Sequence, residues 1–90
     1  MAEVVWTDAA LANLDDIEVY ISHFNPIAAQ RMSQRLIEAA FGLGESPERG
    51  RPLRANLREL TTIPPYLIRY RVDGDSVVIL RIRHGARRPD

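Results

Sequence analysis

The chain has 90 residues, with 12 arginines, no lysine, 12 acidic residues and no cysteine, so its formal net charge is zero. That length fits one domain with one core over residues 1–90 and excludes a multi-domain enzyme. The missing cysteine excludes disulfides and thiolate metal sites and points to a reducing cytoplasm, while 25 residues of Leu, Ile, Val or Phe lift the chain above the composition of disordered segments.

The first residues, Met1 to Trp6, carry neither the basic region nor the apolar stretch of a secretory signal. No apolar run reaches the ~18–20 residues of a membrane span, so no membrane partner is expected. Glu3 to Trp6 is β-branched and aromatic and reads as a strand. Thr7 or Asp8 then caps a helix whose stripe is Leu11, Leu14, Ile17, Ile21 and Phe24. Asn25-Pro26 breaks that pattern and starts a second helix, with Asn25 as cap and Pro26 at the first position, where no N–H is needed. Its stripe is Ala29, Met32, Leu36, Ala39 or Ala40, and Leu43, and Gly44 ends it. So short a junction makes the pair an antiparallel helical hairpin. Residues 46–52, Ser-Pro-Glu-Arg-Gly-Arg-Pro, form a turn-rich connection.

The remainder reads as strands over Leu57 to Ile63, Tyr66 to Val72 and Ser76 to Arg83. Pro64-Pro65 separates the first two, and Asp73-Gly74-Asp75 signals a hairpin between the last two. A three-residue loop there sets Val72 opposite Ser76, Tyr70 opposite Val78, Ile68 opposite Leu80 and Tyr66 opposite Ile82. A two-residue loop would put Arg81 among the tyrosines, so the longer loop is expected. The fold class is then α+β, a βααβββ domain with the helical hairpin packed on one face of a mainly antiparallel sheet. The other face stays open and carries Leu67, Arg69, Arg71, Val77, Ile79, Arg81 and Arg83. Tyr66 and Tyr70 point inward as core.

No phosphate loop, metalloprotease helix or nucleophile elbow is present, and His23 and His84 cannot build a metal site without distant carboxylates. No metal and no cofactor is therefore expected. His23 suits the helix C-terminus, where a cation meets the negative end of the dipole. Asp15 and Asp16 point about 100° apart on a helix and form a solvated face rather than a catalytic pair. The charge is divided unevenly. Residues 1–48 hold eight acids and two bases, and residues 49–90 hold ten bases and four acids. The C-terminal half is a cationic surface suited to phosphate or to an acidic peptide, with Arg49, Arg51, Arg54 and Arg58 ahead of the open face and His84, Arg87 and Arg88 behind it.

These blocks, taken together, resemble the ParE/RelE superfamily of type II toxins. The resemblance runs from the Val-Val-Trp start through residues 46–52, Leu57-Arg58-Glu59-Leu60 and residues 65–72 to Val78-Ile79-Leu80-Arg81-Ile82-Arg83-His84-Gly85-Ala86-Arg87. It implies a small bacterial toxin encoded beside its antitoxin, in a plasmid or chromosomal stabilisation setting. ParE-like members inhibit DNA gyrase, and RelE-like members cut mRNA on the ribosome. The cutting members often have arginine three residues before the middle-strand tyrosine, where this chain has Leu67, and they commonly use lysines or a late tyrosine that it lacks. The His-Gly-Ala-Arg ending resembles the ParE-like side, whereas His84 matches a histidine of some ribosome-dependent nucleases. The expected function is thus a gyrase-binding toxin without catalytic residues. The alternative is a metal-independent ribonuclease, with His84 as acid or base and Arg58, Arg81 and Arg87 as the cations that stabilise the phosphorane-like charge. A plain nucleic-acid-binding module is a third reading, weakened by the zero net charge. The expected partner is an antitoxin with an acidic, amphipathic C-terminal segment, seated on the open sheet face and the groove beside the hairpin.

Overall fold

A computed structural model describes residues 1–85. Strand β1 (Glu3–Trp6) leads into helices α1 (Asp8–Ser22) and α2 (Pro26–Gly42), followed by a short 3-10 turn at Pro47–Arg49. Four strands follow among the described residues: β2 (Arg51–Arg54), β3 (Leu57–Ile63), β4 (Tyr66–Asp73) and β5 (Ser76–His84). The sheet order is β1-β5-β4-β3-β2, antiparallel throughout except that β1 lies parallel to β5.

Both helices start as their caps dictate. Oγ1 of Thr7 accepts from the Ala10 N–H at 3.1 Å, and Oδ1 of Asn25 accepts from the Ala28 N–H at 3.1 Å, with Pro26 in the first turn. Across the hairpin, the Ser33 hydroxyl donates to Glu18 at 3.0 Å. Ala10 from α1 and Leu36, Ala40 and Leu43 from α2 then meet Leu60, Ile68, Tyr70, Val77, Ile79 and Ile82 from the sheet in one core. The stripe of α2 lies where its spacing placed it. That of α1 is narrower than expected: Leu14, Ile17 and Ile21 pack against the core, but Leu11 and Phe24 at its two ends are exposed.

Two local features differ from the sequence reading. Arg51 and Pro52, expected as the end of a connection, instead open a further antiparallel strand, β2, paired with β3 through Arg51–Glu59 and Pro52–Arg58. Proline is tolerated there because β2 is an edge strand and needs no second ladder of donors. The β4–β5 hairpin also turns on two residues, with Asp73 opposite Ser76, rather than on three. Gly74 supplies the positive φ, 54°, that this tight turn requires.

A two-residue turn would drive Arg81 into the core if the strand stayed regular. It does not. Tyr70 pairs with Ile79 while Arg69 pairs with Arg81, so Leu80 is an extra residue, a β-bulge. The bulge returns Ile82 to the core and Arg81 to the open side. Helix α1 supports it: the Thr7 hydroxyl sits 2.9 and 3.1 Å from the carbonyls of Ile79 and Leu80, and the Ile82 N–H donates to Asn13 at 3.0 Å.

Candidate functional site

Alternation along β4 turns Tyr66, Ile68 and Tyr70 towards the helices and Leu67, Arg69 and Arg71 away from them. The registers then align Arg51, Glu59, Arg69 and Arg81 as one row across β2, β3, β4 and β5 on the open face. Arg83 lies diagonally beside that row, opposite Leu67.

Glu59 is the centre of this surface. It points to the solvent side of the sheet and is nevertheless 1% exposed, because arginines lie over it. Nη2 of Arg51 lies 2.9 Å from its Oε1, and Nη2 of Arg69 and Nη2 of Arg83 each lie 3.2 Å from its Oε2. Burial by itself would raise the carboxyl's pKa. The hydrogen bonds from Arg51 and Arg69 and the charges of Arg83 and Arg69 outweigh it, so the group is held below its ordinary value. Three guanidiniums against one carboxylate leave the cluster with a net positive charge. Nε of Arg69 is buried with no acceptor, a cost of about 1–3 kcal/mol that the ion pairs offset. Arg71 is paired separately, its Nε 2.6 Å from Asp73, in an exposed bridge worth at most about 1 kcal/mol.

Of the residues expected on the open face, Leu67, Arg69, Arg71, Arg81 and Arg83 are there, with Arg81 the most exposed. Val77 and Ile79 are not. Both are fully buried beneath the helices, because the shorter turn shifts the first half of β5 by one position. Val78, paired with Arg71, takes their place on the outer face.

Of the groups considered for catalysis, the three among the described residues, Arg58, Arg81 and His84, do not come together. Arg58 pairs with Tyr70 and so lies on the helix side of β3, opposite to Arg81. Its Nη1 donates to the carbonyls of Glu48 at 3.1 Å and Gly50 at 2.7 Å. It thereby holds the turn ahead of β2. His84 pairs with Tyr66, also on the helix side, and its ring meets Tyr66 edge-on at 5.6 Å. Tyr66 and Tyr70 are four positions apart on one strand, roughly 13 Å at 3.3 Å per residue, which separates His84 from Arg58. Arg87 and Arg88 lie outside the described residues. Among the described residues, no group of three His, Cys, Asp or Glu side chains comes together as a metal site.

Sequence reasoning missed Glu59 and the part played by Arg51. A signal was available: Glu59 is the only glutamate in residues 49–90, and Leu57-Arg58-Glu59-Leu60 alternates. An acid facing away from Leu60 within an arginine-rich sheet is a natural centre for ion pairs.

Comparison with known proteins matches residues 4–89 to the family model described as the ParE toxin of the type II toxin-antitoxin system, parDE. This chain belongs to the ParE toxin family. It is a type II toxin of the ParE/RelE superfamily. It is 59% identical over 87 residues to Toxin RelE2 of Caulobacter vibrioides, covering 97% of this chain and 99% of that one. Among solved structures, it superposes on a chain of the chromosomal ParDE system from P. aeruginosa with a TM-score of 0.81 and 31% identity, over 93% of this chain and 96% of that one. A chain of the RelBE2 toxin-antitoxin complex from Mycobacterium tuberculosis gives 0.70 and 30%, over 92% and 96%. The two-helix, five-strand α+β architecture is therefore that of ParE and RelE toxins. No described helix is long and apolar enough to cross a membrane.

Proposed function

We propose that this ParE-family toxin acts in the cytoplasm by docking on DNA gyrase, without catalysis of its own. The observation that carries this reading is the division of the ionic groups between the two faces of the sheet. A ribonuclease of this size would bring an acid or base and its cations to one phosphate. Here Arg58 and His84 lie on the helix side and Arg81 on the open side, and Arg58 is committed to backbone carbonyls of the preceding turn. The open face is better suited to holding a protein than to cleaving RNA.

The antitoxin belongs on that same face, and a plasmid or chromosomal stabilisation cassette is the matching genetic setting. Leu67 and Val78 supply apolar contacts beside Arg69, Arg71, Arg81 and Arg83, and arginine suits interfaces through stem packing and a fork that fits carboxylates. An acidic, amphipathic C-terminal segment of the antitoxin satisfies both. The test is to run supercoiling by purified gyrase beside ribosome-dependent cleavage of mRNA. Inhibited supercoiling with intact mRNA supports the reading. Cleaved mRNA with unaffected gyrase replaces it with the nuclease activity of the RelE side. Arg81→Glu and Arg71→Glu variants should bind the antitoxin more weakly at unchanged stability, and parental affinity in both would place the antitoxin elsewhere.

A further inference from the structure

We propose that Glu59 is the positioning residue of the partner-binding face: it sets Arg51, Arg69 and Arg83 into one preformed array that receives the carboxylates of the antitoxin segment. This rests on the reading that the antitoxin occupies the open face. The geometry is unusual for a surface that recruits anions. An acid at the middle of such a surface repels the incoming charge, so on electrostatic grounds alone Glu59 opposes binding. Yet its carboxylate engages both oxygens, one with Arg51 and one shared by Arg69 and Arg83. Each contact with Glu59 runs through a single Nη2 of a planar, rigid guanidinium, with the Nε of Arg69 and of Arg83 buried against the sheet. Fixing one end of each fork fixes the direction of the rest. The array also spans three strands, β2, β4 and β5, around the one carboxylate on β3.

An unrestrained arginine loses rotamer freedom when it binds, a cost of about 0.5–1.5 kcal/mol for each side chain immobilised. Glu59 imposes that loss at folding instead. Arg69 and Arg83 are already 27% and 21% exposed, held close to the sheet, while Arg51 remains 62% exposed at the edge. The partner meets side chains that are already set, which lengthens the life of the complex more than it speeds its formation.

The sign of one substitution separates positioning from charge. Glu59→Gln keeps the shape and adds one positive charge to the face. A purely electrostatic surface then binds an acidic segment more tightly, whereas a positioned one binds it less tightly. The probe is the antitoxin translated from the reading frame adjoining this chain's own, measured by surface plasmon resonance at two salt concentrations and below the melting range of every variant. The expected result for Glu59→Gln is association as fast as the parent's or faster at low salt, with dissociation at least ~10-fold faster. Glu59→Asp keeps the charge and withdraws the carboxylate by one methylene, so it should show a smaller rise in dissociation with unchanged association. It also carries the test if Glu59→Gln does not fold. If Arg81→Glu weakens binding while both Glu59 variants dissociate at the parental rate, or Glu59→Gln binds more tightly, the positioning role is overturned and the open-face reading stands. If neither Arg81→Glu nor the Glu59 variants change binding, the open-face reading is overturned and the inference with it.

Discussion

At the residue scale, Tyr70 is the hinge between core and loop. Its ring is fully buried, its hydroxyl donates to the Pro47 carbonyl at 2.6 Å, and it accepts from the Gly50 N–H at 2.8 Å. Burial pushes its pKa up, against the opposing hydrogen bond from Gly50. Gly50 has no room for a side chain, since a Cβ there would come within 2.6 Å of that hydroxyl. Tyr70→Phe keeps the ring and strands both backbone groups, so it should cost about 1–3 kcal/mol in an equilibrium urea melt. Glu59 makes a pH prediction. Its folded-state pKa lies below the reference of 4.5, so its stabilisation is fully present above that value and is lost as pH falls through the lowered one. The parent should therefore be more stable than Glu59→Gln at neutral pH, by about 1–3 kcal/mol, with the gap closing as pH falls below 4.5 and through the lowered pKa in thermal melts taken across pH.

At the element scale, α2 carries the core more than α1 does. Leu36 is fully buried and Leu14 only partly, so Leu36→Ala should cost roughly 2–5 kcal/mol and Leu14→Ala distinctly less, as read from urea midpoints. Helix stripes and caps were legible in the sequence because a period near 3.6 and a capping side chain are local properties. The hairpin register was not. In a regular strand, keeping Arg81 out of the core requires a three-residue turn, but the bulge at Leu80 meets the same requirement with a shorter one. That bulge is held by Thr7 and Asn13, some 70 residues away in sequence, where no local pattern announces it. The misplacement of Val77 and Ile79 follows from that one residue. The arginines of the open face were legible by alternation, and the carboxylate among them was not, because an ion-paired centre exists only once four strands are aligned.

At the scale of the whole molecule, charge is segregated by layer. Residues 1–48, which include the hairpin, hold eight acids and two bases, while residues 49–85, which include β2 to β5, hold eight bases and three acids. On the proposed function, this separation steers an acidic antitoxin segment to the sheet, and its association should slow as salt rises. His84 belongs to neither surface but to the contact with Tyr66. His84→Ala should accordingly leave growth inhibition within a few-fold of the parent, whereas loss of a general acid or base typically lowers a rate by ~10²–10⁴. A dose–response of growth against induced toxin distinguishes the two.

The parallel pairing of β1 with β5 carries a consequence for the order of events during synthesis. Val4 pairs with Val77 and Trp6 with Ile79, so β1 waits for β5, made some 70 residues later. Contacts of such sequence separation form late, after loop closure has brought distant segments together. The open face, which needs β2 to β5 aligned around Glu59, is likewise incomplete until β5 emerges. A nascent chain still lacking β5 cannot display the arginine array, so on the proposed function translation itself delays the moment at which the molecule can engage its antitoxin.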